Sequence, residues 1–347
     1  MELYFSFIIP VYNRPDEVQE LLDSISKQTY QDPFEIVIVE DGSTQSSEQV
    51  VAAFEKTLSI TYLQKPNTGP GHSRNYGMSR AQGNYFIVLD SDCILPPAYL
   101  SAVAQALKEE YVDCFGGPDA AHSSFSNIQK AINYSMTSFL TTGGIRGNKK
   151  AVGKFQPRSF NMGISKKAFE ATQGFGNIHP GEDPDLTIRI WNKGFATKLI
   201  PHAYVFHKRR IDWSKFFVQV HKFGLVRPIL NSWHPQTAKF TYWFPSLFFL
   251  GAIIALLLFP LGWWMGLWNW GYTIPLMAYV LYFLVLFCDA WIKNKSVQIG
   301  SYAVWAAIIQ FAGYGLGFLK STILINFSKK KAEVLFPKLF FKTNSTI

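Results

Sequence analysis

The residues able to do chemistry fall into a few short clusters. Asp90-Ser91-Asp92 follows an uncharged run, Tyr-Phe-Ile-Val-Leu, at 85–89. Two carboxylates one residue apart at a strand end can face one hard cation. Mg²⁺ or Mn²⁺ takes oxygen from one or two carboxylates and completes its shell with phosphates. An Asp-x-Asp turn is also a common solvated turn, so the neighbouring residues decide its meaning. Just upstream, Asn67-x-Gly69-x-Gly71-x-x-Arg74-Asn75-x-Gly77 puts glycines at a helix start. There, backbone amides can approach a phosphate and the helix dipole favours it. Arg74 adds a cation with planar donors. A third cluster, Gly181-Glu182-Asp183-Pro184-Asp185, sits at an apparent helix start, where acids also serve as caps; Asp185 suits that structural role. His207 closes the run Ala203-Tyr204-Val205-Phe206. Its imidazole can ligate Mn²⁺, or it is an ordinary histidine in a basic patch.

These clusters need a frame to bring them together, and the first 120 residues supply one. Apolar strand-like runs at 4–10, 34–39, 60–63 and 85–89 alternate with helical spacing at 17–26, 47–58, 73–81 and 97–108. That alternation implies βαβ units and a mainly parallel α/β sheet with helices on both faces. Ligands of such sheets bind at the carboxyl ends of the strands. Two of those ends carry acids, Glu40-Asp41 and Asp90-Ser91-Asp92. Residues 127–167 are less regular, with a Gly-rich basic loop at 141–154.

In this order the clusters resemble the inverting family 2 glycosyltransferases of the Rossmann-like GT-A fold. The resemblance rests on Ile8-Ile9-Pro10-Val11-Tyr12-Asn13-Arg14, Val39-Glu40-Asp41-Gly42-Ser43, the 67–77 segment, Leu89-Asp90-Ser91-Asp92 and Gly181-Glu182-Asp183-Pro184-Asp185-Leu186, and covers residues 5 to 207. It implies a donor site for a nucleotide-diphosphate sugar. Asp41 would contact the base, with Pro10, Val11 and Tyr12 in the loop lining the same pocket. Asp90 and Asp92 would hold the donor diphosphate through a divalent metal, Mg or Mn, with His207 completing that site and Arg74 near the phosphates. Glu182-Asp183 would be the acidic pair whose Asp183 is the catalytic base. Asn161-Met162-Gly163 would lie where donor and acceptor meet. Transfer with inversion does need a group to take the acceptor hydroxyl proton, and a carboxylate opposite the leaving diphosphate can do so in one step. Glu40 departs from the commoner Asp of the family's acidic turn, and the Gln-x-x-Arg-Trp signature of processive members is absent. Rival readings are a polyprenyl-phosphate glycosyltransferase and an inactive scaffold of a glycan-assembly complex. A transporter fits less well, because the hydrophobic part is small and carries no intramembrane charge pair.

The remaining sequence points to a membrane. The chain has 347 residues, 48% of them hydrophobic, and those are unevenly spread. Residues 240–288 and 296–319 contain no Asp, Glu, Lys, Arg or His. A span takes about 20 apolar residues, so the first stretch suits a hairpin of two and the second one more. The expected division is a catalytic domain at 1–210 (donor half to about 115, acceptor half 116–210). An amphipathic interfacial helix follows at 211–238, then an anchor at 239–320 with spans near 242–262, 272–292 and 298–319, and a basic tail at 321–347. A re-entrant or interfacial third segment, with Gly313, Gly315 and Gly317 at a break, is the alternative, because a third crossing puts Lys320 and Lys329 to Lys331 outside. The opening residues lack a basic n-region and a cleavage site, which reads against a secretory leader. Cys93, Cys114 and Cys288 form no Cys-x-x-Cys pair and suit a reducing compartment. The catalytic domain is therefore expected on the cytoplasmic side of the cell (inner) membrane. The net charge of +9 gathers beside the apolar stretches, in Lys208, Arg209, Arg210, Lys215, Lys222, Arg227 and Lys329 to Lys331. That favours contact with membrane lipids over nucleic acid. The acceptor is expected to be a lipid-linked or cell-surface glycan.

Overall fold

The computed structural model describes residues 2–120, 125–143, 155–207, 212–265 and 270–341. In chain order the first elements are β1 (Phe5–Val11), α1 (Pro15–Ser26), β2 (Phe34–Asp41), α2 (Glu48–Phe54), β3 (Ile60–Lys65), α3 (Pro70–Met78), β4 (Tyr85–Leu89), β5 (Cys93–Ile94), α4 (Tyr99–Glu109), β6 (Cys114–Gly116) and β7 (Asp119–Ala120). After them come α5 (Asn127–Thr137), α6 (Phe139–Thr142), β8 (Asn161–Ser165), α7 (Lys166–Thr172), α8 (Glu182–Asn192), β9 (Thr197–Leu199) and β10 (Val205–His207). The helices α9 (Trp213–Trp233), α10 (Phe244–Trp264), α11 (Trp270–Asn294), α12 (Val297–Phe327) and α13 (Ala332–Leu335) complete the chain.

The main sheet has the order β3-β2-β1-β4-β8-β6-β9. The first four of these strands are mutually parallel, and β8 runs antiparallel to both β4 and β6. Strand residues alternate between two cores. Phe5, Phe7, Ile9, Ile36, Ile38, Ile87 and Leu89 pack under α1 and α4. Ile8, Val37, Val39, Phe86 and Val88 face Met78 of α3 and Leu186 and Ile190 of α8. The unbroken apolar runs in the sequence are thus strands buried on both faces. Gly77 lets α3 approach the sheet, since a Cβ there would lie 2.9 Å from Ile8 and 3.1 Å from Val39. A second, small sheet, β5-β10-β7, pairs His207 with Cys93.

The structure divides into two units. Residues 2–120, 155–207 and 338–341 form the sheet unit; 125–143, 212–265 and 270–337 form a helical unit. This differs from the expected boundaries in two places. The segment with α5 and α6, expected in the acceptor half, belongs with the helices: Ser135 donates to Gln310 at 3.0 Å and Tyr282 to the Leu140 carbonyl at 2.9 Å. The expected basic tail begins inside α12, and its residues 338–341 return to the sheet unit. Lys208 to Arg210, most of the 141–154 loop and the centre of the link between α10 and α11 lie outside the described residues.

Within the helical unit, α10, α11 and α12 are each long and apolar enough to cross a membrane. Helix α9 is not the amphipathic surface helix expected. Phe216, Val220, Gly224, Val226 and Pro228 to Leu230 are all buried, so no single face is left polar. The reason is close backbone packing on α12. A Cβ on Gly224 would meet the Tyr314 carbonyl and the Phe318 amide, and one on Gly317 would meet the His221 carbonyl and the Leu225 amide. The glycines of α12 therefore form a packing face. Gly224→Val should push these backbones apart at a cost of about 1–3 kcal/mol. The expected result is a melting temperature several degrees lower for the detergent-solubilised protein; an unchanged melt would mean the two helices do not pack this way.

Candidate active site

The parallel strands β1, β2, β3 and β4 finish at one edge of the sheet, and the acidic turns sit just beyond them. The β1 loop is tied to the β2 loop through Asn13, which adopts φ 55°. Its side-chain carbonyl accepts from the amides of Thr44 at 2.8 Å and Gln45 at 2.9 Å. In that loop Val11 is buried, Pro10 half-buried, and Tyr12 is 51% exposed, an aromatic face open to a ligand.

Asp41 is buried at the end of β2 and acts as a hub. Its Oδ1 accepts from Lys65 and from the Thr68 amide at 2.9 Å, and its Oδ2 from the Gly69 amide at 2.9 Å. It therefore sets the start of the Gly-rich segment. A carboxylate oxygen has two acceptor sites, so Oδ2 keeps one for a ligand. Glu40 has a different task. Its Oε2 accepts from the Ser47 amide at 2.9 Å and from Tyr62 at 2.8 Å, anchoring the start of α2. The extra methylene relative to Asp lengthens that reach.

Arg74 on α3 joins the other two acidic clusters. It is 3% exposed and donates through one NH₂ group to Asp90 Oδ1 at 2.7 Å and through the other to Glu182 Oε1 at 3.0 Å. The guanidinium lies 5.2 Å from the Phe175 ring. Glu182 also meets His179 Nδ1 at 2.9 Å. Burial works to raise the Glu182 pKa, but His179 and Arg74 outweigh it and hold the carboxyl down to about 2. Arg74 and Glu182, expected at the donor site, are buried and paired with each other as well as with Asp90 and His179, and they position their neighbours. Among the described residues, Arg74 Nε and Glu182 Oε2 have no hydrogen-bond partner. Asn161 likewise has internal partners. It is fully buried, accepts from Tyr99 at 2.6 Å and donates to the Ala203 carbonyl at 2.8 Å, so its amide is used inside the protein.

The carboxylates nearer solvent are Asp90, Asp92 and Asp183. Asp92 Oδ1 lies 3.1 Å from His207 Nε2, and the Asp92, Cys93 and His207 ligand atoms fall within 4.8 Å of one another. The antiparallel pairing of β10 with β5 brings His207 there, and its ring stacks on Phe160 with centroids 4.6 Å apart. The carboxylate oxygen suits Mn²⁺ or Mg²⁺, and the imidazole nitrogen beside it favours Mn²⁺ of the two. Asp90 does not join this cluster as expected, because Arg74 draws its carboxylate aside. Asp183, in the first turn of α8, lies 3.5 Å from Arg158. Asp185 is structural, as expected: it receives Arg189 through two nitrogens at 2.9 and 2.8 Å, and Arg189 also reaches the carbonyls of Thr172 and Gly174.

Sequence reasoning passed over four residues. Lys65 was detectable in principle as the cation at the end of β3. His179 stands three residues before Glu182. Arg158 lies outside every motif. Phe341 carried no signal at all: its ring packs on Gly69, where φ is 93° and any Cβ would collide with the ring.

Residues 6–172 match the profile described as Glycosyl transferase family 2. This stretch is a family 2 glycosyltransferase domain. It resembles an uncharacterized glycosyltransferase of Rickettsia bellii, 38% identical over 87 residues, which are 25% of this chain and 12% of that protein. It also resembles the poly(ribitol-phosphate) β-N-acetylglucosaminyltransferase TarS of Staphylococcus aureus, 33% identical over 112 residues, 31% of this chain and 20% of that one. The chain thus spans well under half the length of these relatives. The mannosyltransferase PcManGT of Pyrobaculum calidifontis, solved with GDP-mannose and Mn²⁺, shares the fold at a TM-score of 0.57 and 14% identity, over 95% of this chain and 89% of that one. The GT-A architecture expected for the family 2 domain is therefore the one present.

Within this domain the buried Arg74 cannot lose a partner cheaply. Removing one member of a buried pair costs about 3–5 kcal/mol. Glu182→Gln should lower the melting temperature at neutral pH accordingly. Because the folded Glu182 pKa is lowered, its contribution is complete above the ordinary value of 4.5 and fades as pH falls toward about 2. Wild type and variant should therefore converge in stability over that range. Parallel melting curves from pH 7 to 2 would refute the ion pair.

Proposed function

We propose that the chain moves one sugar from a nucleotide-diphosphate donor to a hydroxyl of a lipid-linked or cell-surface glycan, with inversion, at the cytoplasmic face of the cell membrane. The observation that carries this reading is Arg74, which holds the Asp90 turn and the Glu182-Asp183 turn together at one edge of the sheet. A donor lying over that edge would have its base between Tyr12 and Asp41 and its diphosphate beside Asp92 and His207, since the Gly69 amide is already donated to Asp41 and Pro70 has no N–H. Asp183 would face the acceptor.

A divalent cation bound by Asp92 and His207 would neutralise charge on the leaving diphosphate. The remaining chemistry belongs to the chain. Asp183 takes the acceptor hydroxyl proton as the oxygen attacks the anomeric carbon. Arg158 orients the Asp183 carboxylate. Arg74 and His179 fix Glu182, and with it the start of α8. Three apolar helices support placement at a membrane, where a lipid-linked acceptor would be at hand.

Purified protein should transfer sugar from one member of a panel of nucleotide sugars when Mn²⁺ or Mg²⁺ is present. Asp183→Asn should lower kcat by about 10²-fold or more, the usual worth of a general base, while nucleotide binding is kept. Binding lost in parallel with turnover would make Asp183 part of the donor pocket. Near-normal turnover would favour a phosphate acceptor, which needs little base catalysis. Asp92→Ala should abolish the metal stimulation of nucleotide binding. Undiminished activity in a chelator would end the metal-dependent reading.

A further inference from the structure

The three apolar helices of the helical unit do not play the same part. The chain leaves the sheet unit before α9 and rejoins it after Pro337. On its return, the Leu339 carbonyl accepts from the His179 amide at 2.7 Å, and the Phe341 amide donates to the Asn177 carbonyl at 3.0 Å. Leu339 is 3% exposed there. A folded unit sits on one side of a bilayer, so a chain that leaves it and pairs with it again crosses an even number of times. Three crossings are incompatible with that pairing. No crossing at all would leave the apolar surfaces of α10 and α11 in water, since only 11% of each span is buried.

The contacts of α12 identify the helix that does not cross. Helices α10 and α11 form a hairpin in which Phe248 is level with Tyr279 and Tyr282. Near its start, α12 touches this hairpin at Phe287, through Gly300; midway it touches Phe248, through Phe311. Further along, it meets Pro245 through Gly315 and Trp243 through Phe318. From Gly300 to Phe318 a helix advances about 27 Å at 1.5 Å per residue. Yet both positions meet the same end of the hairpin, the beginning of α10 and the last part of α11. A helix running beside α10 across a bilayer would touch it along its length. Polar companions agree. Gln298 accepts from Asn127 at 2.8 Å and Gln310 from Ser135 at 3.0 Å, while α9, with Lys215 and Lys222, packs further along. Burying those residues in hydrocarbon would be costly.

We propose that only α10 and α11 cross the bilayer and that α12 lies along its surface. The uncovered part of α12 fits that place. Trp305, Leu316, Ile323 and Phe327 are 50%, 42%, 56% and 87% exposed and recur at helical spacing along one stripe, an apolar face for the headgroup–acyl boundary. Lys320 stands exposed near it and can reach the headgroups. Lys293, Lys295, Lys320 and Lys329 to Lys331 then share one side with the sheet unit, as the positive-inside tendency requires. The occupant of the stripe is lipid, because the stripe belongs to the helix that carries the base of the apolar hairpin. Helix α12 is long and apolar enough for the expected third span near 298–319, and the proposal gives it a place along the surface instead of a crossing.

Single cysteines can test this in the full chain with Cys288→Ser, since Cys93 and Cys114 are buried. Lys56→Cys, Asn294→Cys and Lys330→Cys should all react with an impermeant maleimide from one side of sealed vesicles, and Met265→Cys only from the other. Labelling of Lys330→Cys on the Met265 side would overturn the proposal. A nitroxide on Leu316→Cys should report a depth near the headgroups, and one on Leu284→Cys the bilayer interior. Equal depths at the two positions, or cross-linking of Leu316→Cys between two copies in place of lipid exposure, would also overturn it.

Discussion

The sheet unit turns on one buried guanidinium. Arg74 is 3% exposed and balances its charge inside the protein on Asp90 and Glu182. These carboxylates are far apart in sequence: one follows a central strand, and the other opens a helix about ninety residues later. An arginine suits the task because its donors diverge in a fixed plane and its charge is permanent, whereas a lysine ammonium is a point charge on a flexible stem. The arrangement also depends on α3 lying close to the sheet, which Gly77 permits by exposing β1 and β2 to the helix backbone. Packing, charge balance and the meeting of two acidic turns are therefore one constraint. Disturbing any of them releases the others.

Asp41 governs the other side of the same edge. It gathers Lys65 and two successive loop amides, and the second of those amides belongs to Gly69, which Phe341 covers from the opposite side. The Gly-rich segment is thus held between a carboxylate and an aromatic ring. Its left-handed backbone at Gly69 is open to glycine and strained for other residues. The loop is thus shaped by the protein itself, with its Thr68 and Gly69 amides turned onto the Asp41 carboxylate.

Much of this was legible in the sequence. The doubly buried strands announce themselves as uninterrupted apolar runs, and the acidic turns follow because such strands end at one edge. The second sheet was not legible: β5 and β10 are two and three residues long, too short for any periodicity, so the meeting of His207 with Asp92 needed a family resemblance to be expected at all. Arg74, Glu182 and Asn161 were recognised as important, but their internal partners were not foreseen. Residue type cannot say whether a polar group faces a ligand or a buried partner. Helix α9 misled for a related reason. Its mix of Lys and aromatic residues reads as amphipathic, but Gly224 admits the α12 backbone on the side that the pattern leaves open.

The cluster of Asp92, Cys93 and His207 says something about how a cation would be held. Cys93 is buried and its thiol donates to the Phe160 carbonyl at 3.4 Å, so its sulfur is already occupied and is in any case a soft ligand. That leaves one carboxylate and one imidazole, while Mg²⁺ demands a near-octahedral shell of hard ligands. Among the described residues the protein supplies too few at this cluster. Asp90, the obvious further oxygen, is held aside by Arg74, whose positive charge would also repel a cation drawn toward it. A cation at this edge must therefore complete its shell with water or with phosphate oxygens.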